Sequence, residues 1–233
     1  KWIVDHTELI PRYERLAVEE ERIGDHGVCV VMGSRTPALI MNVDLAGVMR
    51  FCTDMASGVE EFHALYESLR KRFMEETELI ARAPGHFVKW LENLTAPVFG
   101  PQYYRDLVVS VYNEAVPQLE AVGKRVMVHY DGQLSFLSDE IAQAPVHIIE
   151  SLSEAPEGDL DYEECRRLWP DKAFWGNLNV GLYTEDRETL VQAVRDKRER
   201  AGKRGFAFEI SEKMPDNWQE VIPIVLEALE AIG

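Results

Sequence analysis

The amino-acid sequence predicts an α/β protein with a parallel sheet, and three observations support this prediction. Short apolar segments alternate with longer amphipathic segments along the chain. The short segments are almost continuously apolar, which is typical of parallel strands covered by helices. Neither an internal repeat nor a low-complexity tract interrupts the alternation. We therefore predict a single domain over residues 1–233.

Six of the short segments predict strands, at residues 28–32, 87–91, 125–130, 146–152, 173–178 and 205–210. A closed barrel of eight βα units typically has about 250 residues. The chain of 233 residues is somewhat shorter and begins on Lys1 rather than Met. The sequence therefore predicts a parallel (β/α)8-type TIM barrel that lacks its first one or two βα units, so that the domain is N-terminally incomplete.

Helical periodicity predicts the segments that connect the strands. The predicted helices are 43–53, 59–81, 102–121, a short one near Glu140, 162–168, 187–201 and 218–232. Pro101 directly precedes one helix, and Gly123 and Gly202 follow two others, as is typical of helix ends. We expect Thr184 to be the N-cap of the helix that begins at Arg187.

Charge and composition exclude several classes of protein. The formal net charge is -16, so the basic face that nucleic acids require is not expected. No apolar run approaches the roughly 20 residues of a membrane helix, and no signal peptide is recognisable. We expect a cytoplasmic protein with no membrane or nucleic-acid partner. Cys29, Cys52 and Cys165 are expected to be reduced, and are interpreted as small hydrophobic residues.

Polar residues at the predicted carboxyl ends of the strands are the candidates for function, because these ends form the active-site mouth of a parallel barrel. The candidates are Glu92 and Asn93, His129 and Asp131, Glu150 and Ser151, Asn177 and Asn179, and Glu209, Ser211 and Glu212. Most of them are acidic or carry an amide. The sequence therefore predicts an acidic mouth.

The segment His129-Tyr-Asp131-Gly132 is the most suggestive of these features. Alternate residues leaving a strand point the same way, so that an imidazole and a carboxylate could bind one ion. Alternatively, His129 hydrogen-bonds the main chain and Asp131 caps the next helix. Glu92 fits a general acid or base, or a substrate ligand, but equally a salt bridge at the rim.

Four stretches resemble the uroporphyrinogen decarboxylase superfamily, which includes corrinoid-dependent methyltransferases. They are residues 123–132 with the His129 motif, Trp175-Gly-Asn177-Leu-Asn179, residues 205–215, and residues 87–97 followed by Pro101-Gln-Tyr-Tyr-Arg105. The resemblance extends over residues 27–233. It implies the TIM barrel that the alternation of strands and helices predicts.

The resemblance also implies a metal site. In the methyltransferase branch, a His-x-Cys motif and a later cysteine hold zinc. His129 matches that histidine, whereas Asp131 and Glu212 stand where the cysteines would be. We therefore expect His129, Asp131 and Glu212 to form a possible site for a divalent metal such as zinc.

Because they share the barrel mouth at the strand ends, Glu92, Asn177 and Glu150 are expected to act on a small-molecule substrate. The resemblance also implies methyl transfer linked to a corrinoid, which a partner protein could carry.

Three other functions are compatible with the sequence. The first is a carboxy-lyase of the uroporphyrinogen decarboxylase type, although a strongly acidic chain is a poor host for a substrate rich in carboxylates. The second is a barrel without catalysis that binds a small cationic or hydroxylated ligand through Glu92, Glu150 and Glu209. The third is a glycoside hydrolase, which would need two carboxylates at a defined separation.

Overall fold

The computed structural model describes residues 1–210 and 216–232, which are organised around one six-stranded sheet. The strands are β1 (Val30–Gly33), β2 (Phe87–Trp90), β3 (Arg125–His129), β4 (Ile148–Leu152), β5 (Ala173–Asn177) and β6 (Phe206–Glu209). Each strand pairs in parallel with the next one along the chain. All six predicted strands are thus present.

The strand order identifies the fold class. Six parallel strands in the order β1-β2-β3-β4-β5-β6, connected through helices, form the wall of a TIM barrel. This confirms the predicted α/β class. Among the described residues β1 and β6 do not pair with each other, so that they are the two edges of the sheet.

Most helices lie between the strands, two precede β1, and one follows β6. They are α1 (Trp2–His6), α2 (Tyr13–Ile23), α3 (Pro37–Leu39), α4 (Val48–Ala56), α5 (Glu60–Arg82), α6 (Ala96–Tyr104), α7 (Ser110–Glu120), α8 (Ser138–Gln143), α9 (Tyr162–Leu168), α10 (Arg187–Ala201) and α11 (Trp218–Ile232). Residues Ile40–Ala46 and Arg105–Val109 form π-helical turns. Within the described residues, each helix is too short or too polar to span a bilayer.

Two details of the helices differ from the prediction. The helix predicted at 43–53 is interrupted at Gly47, whose φ of 73° is outside the helical region, and α4 begins after it. The N-cap of α10 is Asp186 rather than Thr184, because the Asp186 side chain accepts a hydrogen bond from the Thr189 amide at 2.9 Å. A carboxylate one residue before the helix satisfies that amide directly.

The core lies between the sheet and the helices. Alternate residues of β2 and β3, such as Val88, Trp90 and Val128, are completely buried against them. In α5 the buried residues recur every three or four positions, from Phe62 to Ile80. Because strand side chains alternate between faces, the residues between them, Lys89 and His129 included, point to the inner side of the sheet. This alternation brings charged residues together there.

Candidate functional site

His129 lies at the carboxyl end of β3 and is held from one side by Glu150 of β4. The two residues are neighbours in the register of the strands. His129 Nδ1 lies 2.7 Å from Glu150 Oε2, and the two side chains are only 5% and 2% exposed. A carboxylate accepts from Nδ1–H, so the Nε2 atom of His129 is left to face another group.

That other group is Asp131, in the loop directly after β3. Its Oδ2 atom lies 3.5 Å from His129 Nε2. The Asn93 side chain donates a hydrogen bond to the same oxygen at 3.0 Å. The structure therefore brings the predicted pair His129 and Asp131 together. It also adds Glu150, which the sequence analysis had placed among the catalytic candidates.

Glu150 also accepts a hydrogen bond from the Lys89 ammonium group of β2. Glu209 of β6 interacts with Glu150 as well, and its Oε2 atom is buried with no hydrogen-bond partner among the described residues. Burial first, and then the charge of Glu150, raise the pKa of Glu209 to about 7. The cluster thus consists of Lys89, His129, Asp131, Glu150 and Glu209.

Opposing effects set the pKa values of the central pair. Burial alone would lower the pKa of His129, but its hydrogen bonds and charge interactions with Asp131 and Glu150 outweigh burial and raise it to about 9. Burial would raise the pKa of Glu150, but His129 and Lys89 lower it overall. Without a bound cation, the imidazole is therefore protonated at neutral pH and lies between two carboxylates.

Glu92 lies in the segment directly after β2, as its position in the sequence predicts. It is completely buried. Its Oε2 atom accepts hydrogen bonds from the Thr36 amide and hydroxyl, each at 3.0 Å, and its Oε1 atom accepts one from the Tyr112 hydroxyl at 2.9 Å. Burial raises the pKa of Glu92 to about 7 against these hydrogen bonds. Both oxygens are thus engaged by hydrogen bonds within the protein, and a catalytic role of Glu92 stays a prediction.

Asn177, at the end of β5, is bound to the loop after β4. Its Nδ2 atom donates to Ser151 Oγ at 2.8 Å and to Ser153 Oγ at 3.1 Å. Ser151 has a φ of 62°, unusual for a residue other than glycine. Asn177 therefore fixes the turn that follows Glu150, and a contact of Asn177 with substrate stays a prediction.

Glu212, the third predicted metal ligand, lies outside the described residues, as does Ser211. Within residues 1–210 and 216–232, no three His, Cys, Asp or Glu side chains are grouped so that they could hold a metal ion. Of the three predicted ligands, His129 and Asp131 lie within the described residues, and their role as ligands stays a prediction.

Two charged residues of this region were missed by the sequence analysis. Lys89 interrupts the apolar alternation of β2, and a lysine within a buried strand was the available signal. Arg35 follows β1, and its Nη2 atom donates to Asn93 Oδ1 at 2.6 Å. No pattern in the sequence indicated that contact, because it joins residues 58 positions apart.

Gly132 explains why the loop after His129 and Asp131 is closely packed. A β-carbon at this position would lie 2.6 Å from the Leu94 carbonyl oxygen and 2.7 Å from Thr95 Cβ. Any larger residue would therefore push the loop after β3 away from the loop after β2. The two loops that carry Asn93 and Asp131 are kept in contact by this glycine.

Comparison with protein families decides the assignment. The model of the family described as uroporphyrinogen decarboxylase (URO-D) matches residues 24–226. The chain belongs to this family. The URO-D match includes all six strands and the cluster around His129. A comparison with curated proteins found no significant match.

Solved structures agree with the URO-D assignment at the level of the fold. A methyltransferase from Methanosarcina mazei superposes with a TM-score of 0.72 and 12% identity over 94% of this chain and 63% of that one. A protein provisionally named a vitamin-B12 independent methionine synthase, from Listeria monocytogenes, superposes with a TM-score of 0.61 and 12% identity over 97% of this chain and 70% of that one. The URO-D chain described here thus spans less than two thirds of the length of the first.

Proposed function

We propose that this URO-D family protein is a methyltransferase-like enzyme with a divalent metal site at His129 and Asp131. One observation carries the proposal: Glu150 holds His129 through Nδ1, and Nε2 faces the Asp131 carboxylate at 3.5 Å. Metal-binding histidines commonly donate their other ring N–H to a carboxylate in this way, which fixes the tautomer and the ring orientation.

The distance between the two ligand atoms suits one tetrahedral ion. Zinc binds nitrogen and oxygen ligands at about 2.0 to 2.2 Å, so two ligands at a tetrahedral angle lie about 3.3 to 3.6 Å apart. The separation of 3.5 Å between Nε2 and Oδ2 lies within this range. Glu212 is the third ligand in our proposal, on the grounds of its place in the sequence. No rearrangement of His129 is required.

The ligand types influence which metal is expected. One imidazole and two carboxylates form a harder set than the thiolates of the resembling methyltransferases, so zinc competes here with other divalent ions. A bound ion would lower the pKa of a coordinated thiol, hydroxyl or water. The protein's own contribution is to orient His129 through Glu150, to fix Glu150 through Lys89, and to hold a small substrate at the mouth.

The methyl-transfer part of the proposal draws its support from the URO-D family and from the fold of the Methanosarcina mazei methyltransferase. In this proposal, a corrinoid on a partner protein is the methyl donor, and a small molecule that binds at the mouth is the acceptor. Asn177 and Glu150 are the side chains that we propose to contact this acceptor.

A second function, a metal-independent carboxy-lyase, is favoured by a different observation. The protonated His129 lies between two carboxylates, and its pKa is about 9. In such a reaction the bond between carbon and the departing carboxylate breaks, CO2 leaves, and the electron pair left on carbon takes a proton from His129. An acid that stays protonated at neutral pH suits this step.

Metal analysis distinguishes the two functions. The purified protein is incubated with Zn²⁺, the excess is removed, and the bound zinc is measured for the wild type, His129→Ala and His86→Ala. His86 is an exposed histidine before β2 and serves as the matched control. We expect about one zinc per chain in the wild type and in His86→Ala, and almost none in His129→Ala. Circular dichroism verifies that each variant is folded.

Co²⁺ provides the test for an acceptor thiol. If the site coordinates a thiol, 2-mercaptoethanol should give the Co²⁺-loaded protein the intense absorption of a thiolate ligand. Zinc that remains bound in His129→Ala would rule out the proposed site. A wild type that binds neither ion would leave the carboxy-lyase as the better function.

A further inference from the structure

Asn93 follows β2 in an unusual conformation and contacts both neighbouring loops. Its φ of 50° lies in the left-handed region, which asparagine tolerates better than most residues. Its amide N–H donates to the His129 carbonyl oxygen at 3.0 Å. Its side chain contacts Arg35 on one side and Asp131 on the other. The backbone and the side chain of Asn93 thus bridge the ends of β1, β2 and β3.

The orientation of the Asn93 amide follows from the chemistry of its partners. A guanidinium group has only donors, and an ionised carboxylate has only acceptors. Asn93 Oδ1 must therefore face Arg35, at 2.6 Å from Nη2, and Nδ2 must face Asp131, at 3.0 Å from Oδ2. A flipped amide would oppose donor to donor and acceptor to acceptor. Arg35 thus determines that Asn93 presents an N–H to Asp131.

Arg35 is itself held in place by the loop after β1. Its Nη1 atom lies 3.2 Å from Asp44 Oδ1. The next residue, Thr36, is completely buried and donates two hydrogen bonds to Glu92. Glu92 directly precedes Asn93 in the chain. The Thr36–Glu92 hydrogen bonds therefore fasten the loop after β1 to the loop after β2 directly beside the Arg35–Asn93 contact.

Asp131 depends on this arrangement because it is much more exposed than His129, the other proposed ligand among the described residues. Its side chain is 40% exposed, against 5% for His129. Among the described residues, the side chains that contact it are His129 and Asn93. A carboxylate with so few neighbours would otherwise rotate into solvent, since free rotation is entropically favourable.

We propose that Asn93, oriented by Arg35, is a positioning residue that fixes the Asp131 carboxylate as a metal ligand beside His129. This inference rests on the proposed metal site and extends it to a residue that does not touch the ion. Hydrogen-bonded partners of this kind usually contribute about 10 to 100-fold to metal affinity. Glu92 supports the Arg35–Asn93 contact from within the core, because it directly precedes Asn93 and binds Thr36 of the loop after β1.

The experiment compares Zn²⁺ affinity among four full-length proteins, by competition with a chromophoric chelator. In Asn93→Gly the amide is deleted, but the residue still adopts a positive φ without strain. In Arg35→Met the donor that orients the amide is lost. Asn179→Ala is the matched control, since Asn179 is also an amide at a strand end but bonds to Glu157 and Lys197. Wild type completes the set.

We expect Asn93→Gly to bind Zn²⁺ about 10 to 100-fold more weakly than wild type, Arg35→Met to lose less, and Asn179→Ala to bind normally. The visible spectrum of bound Co²⁺ should also change in Asn93→Gly, because its ligand geometry is altered. A purely structural role would change the melting temperature but not this spectrum.

The outcomes separate the two proposals. Normal affinity and a normal Co²⁺ spectrum in Asn93→Gly, beside a wild type that binds metal, would refute the positioning role alone. A wild type that binds neither ion would refute the metal site, and the positioning role with it. An equal loss in Asn179→Ala would show that any change at a strand end weakens binding, and would also count against Asn93.

Discussion

The two ends of the parallel strands carry charged residues in opposite ways. At the amino ends, buried cations donate to main-chain carbonyl groups. Lys124 Nζ lies 2.7 Å from the Ala83 carbonyl oxygen, and Lys172 Nζ lies 2.7 Å from that of Ala144. At the carboxyl ends, His129 and Lys89 instead face the carboxylates of Asp131 and Glu150.

The amino-end lysines form a repeated arrangement. Lys124 directly precedes β3 and closes the loop before β2, where it also donates to Gly85. Lys172 directly precedes β5 and closes the segment before β4, where it also donates to Val146 at 3.0 Å. Each lysine thus donates hydrogen bonds to the segment that leads into the preceding strand. Burial lowers the pKa of both lysines, that of Lys172 to about 8, but the carbonyl groups that they contact do not titrate, so we interpret these cations as structural.

The difference between the ends indicates where function lies. A buried charge satisfied by main-chain groups stabilises one conformation and offers nothing to a ligand. A buried charge paired with other ionisable side chains has an alternative partner in a bound ion. In this URO-D protein, the second kind occurs at the carboxyl ends, where TIM barrels have their active sites. Variants at the two ends should therefore separate structural charges at the amino ends from functional charges at the carboxyl ends.

The largest expected effect is a loss of stability at the amino ends. Lys172→Met removes the buried donor of the Ala144 and Val146 carbonyl groups. Each buried carbonyl group left without a donor lowers the stability of the folded protein by about 1 to 3 kcal/mol. We expect the free energy of unfolding to fall by about 3 kcal/mol, as measured by urea denaturation. Lys124→Met should behave similarly. Neither variant should alter zinc content. A loss of zinc in a folded Lys172→Met would contradict the view that the amino-end charges are structural and the carboxyl-end charges functional.

A smaller, pH-dependent effect is expected at the carboxyl ends. The folded pKa of His129 is raised from 6.5 to about 9. Folding therefore favours the protonated imidazole, so that its stabilisation is complete below pH 6.5 and is lost as the pH rises to about 9. Since Lys89 competes for Glu150, we expect a change of about 2 kcal/mol, less than the full shift implies.

The measurement is a series of urea denaturations of the metal-free protein from pH 6 to pH 9.5. His129→Gln is the control, since glutamine does not titrate. Other buried groups, such as Glu92 and Lys172, titrate in both proteins, so the contribution of His129 is the difference between the two profiles. A wild-type profile parallel to that of His129→Gln would show that Asp131 and Glu150 do not hold a protonated imidazole.

How much of the fold and of the candidate site the sequence could predict depends on whether the contacts involved join residues that are close in the sequence. The strands follow from local apolar runs, and the placement of His129, Asp131 and Glu150 follows because parallel strands end at the same edge. The sequence also predicted a polar role for Glu92, but not its burial. The burial of a strand-end side chain depends on its neighbours, here Thr36 and Tyr112, which are distant in the sequence.

The amino-end lysines were beyond prediction for a related reason. A lysine before a strand is most often exposed on the surface, and Lys124 and Lys172 differ from that rule only because carbonyl groups of another loop surround them. The sequence contains no sign of such a loop conformation. Asn93 was identified as a strand-end residue, but the contact with Arg35 that orients its amide depends on the path of the loop after β1.

The smallest expected effect comes from a second histidine–carboxylate pair, which matches the first in distance but not in burial. His147 Nε2 lies 2.7 Å from Glu120 Oε1 at the amino ends, and Glu120 is 44% exposed. His129 lies equally close to Glu150, which is 2% exposed. Exposed ion pairs typically contribute less than about 1 kcal/mol, since water competes for both charges.

We therefore expect Glu120→Gln to change the free energy of unfolding by no more than about 0.5 kcal/mol and to leave zinc binding intact. Glu150→Gln should reduce zinc affinity and flatten the pH profile of stability between pH 6.5 and 9, because His129 loses its buried carboxylate. The two variants remove the same charge from a contact of the same length. Equal effects would mean that burial at the carboxyl ends does not distinguish the candidate site from an ordinary surface pair.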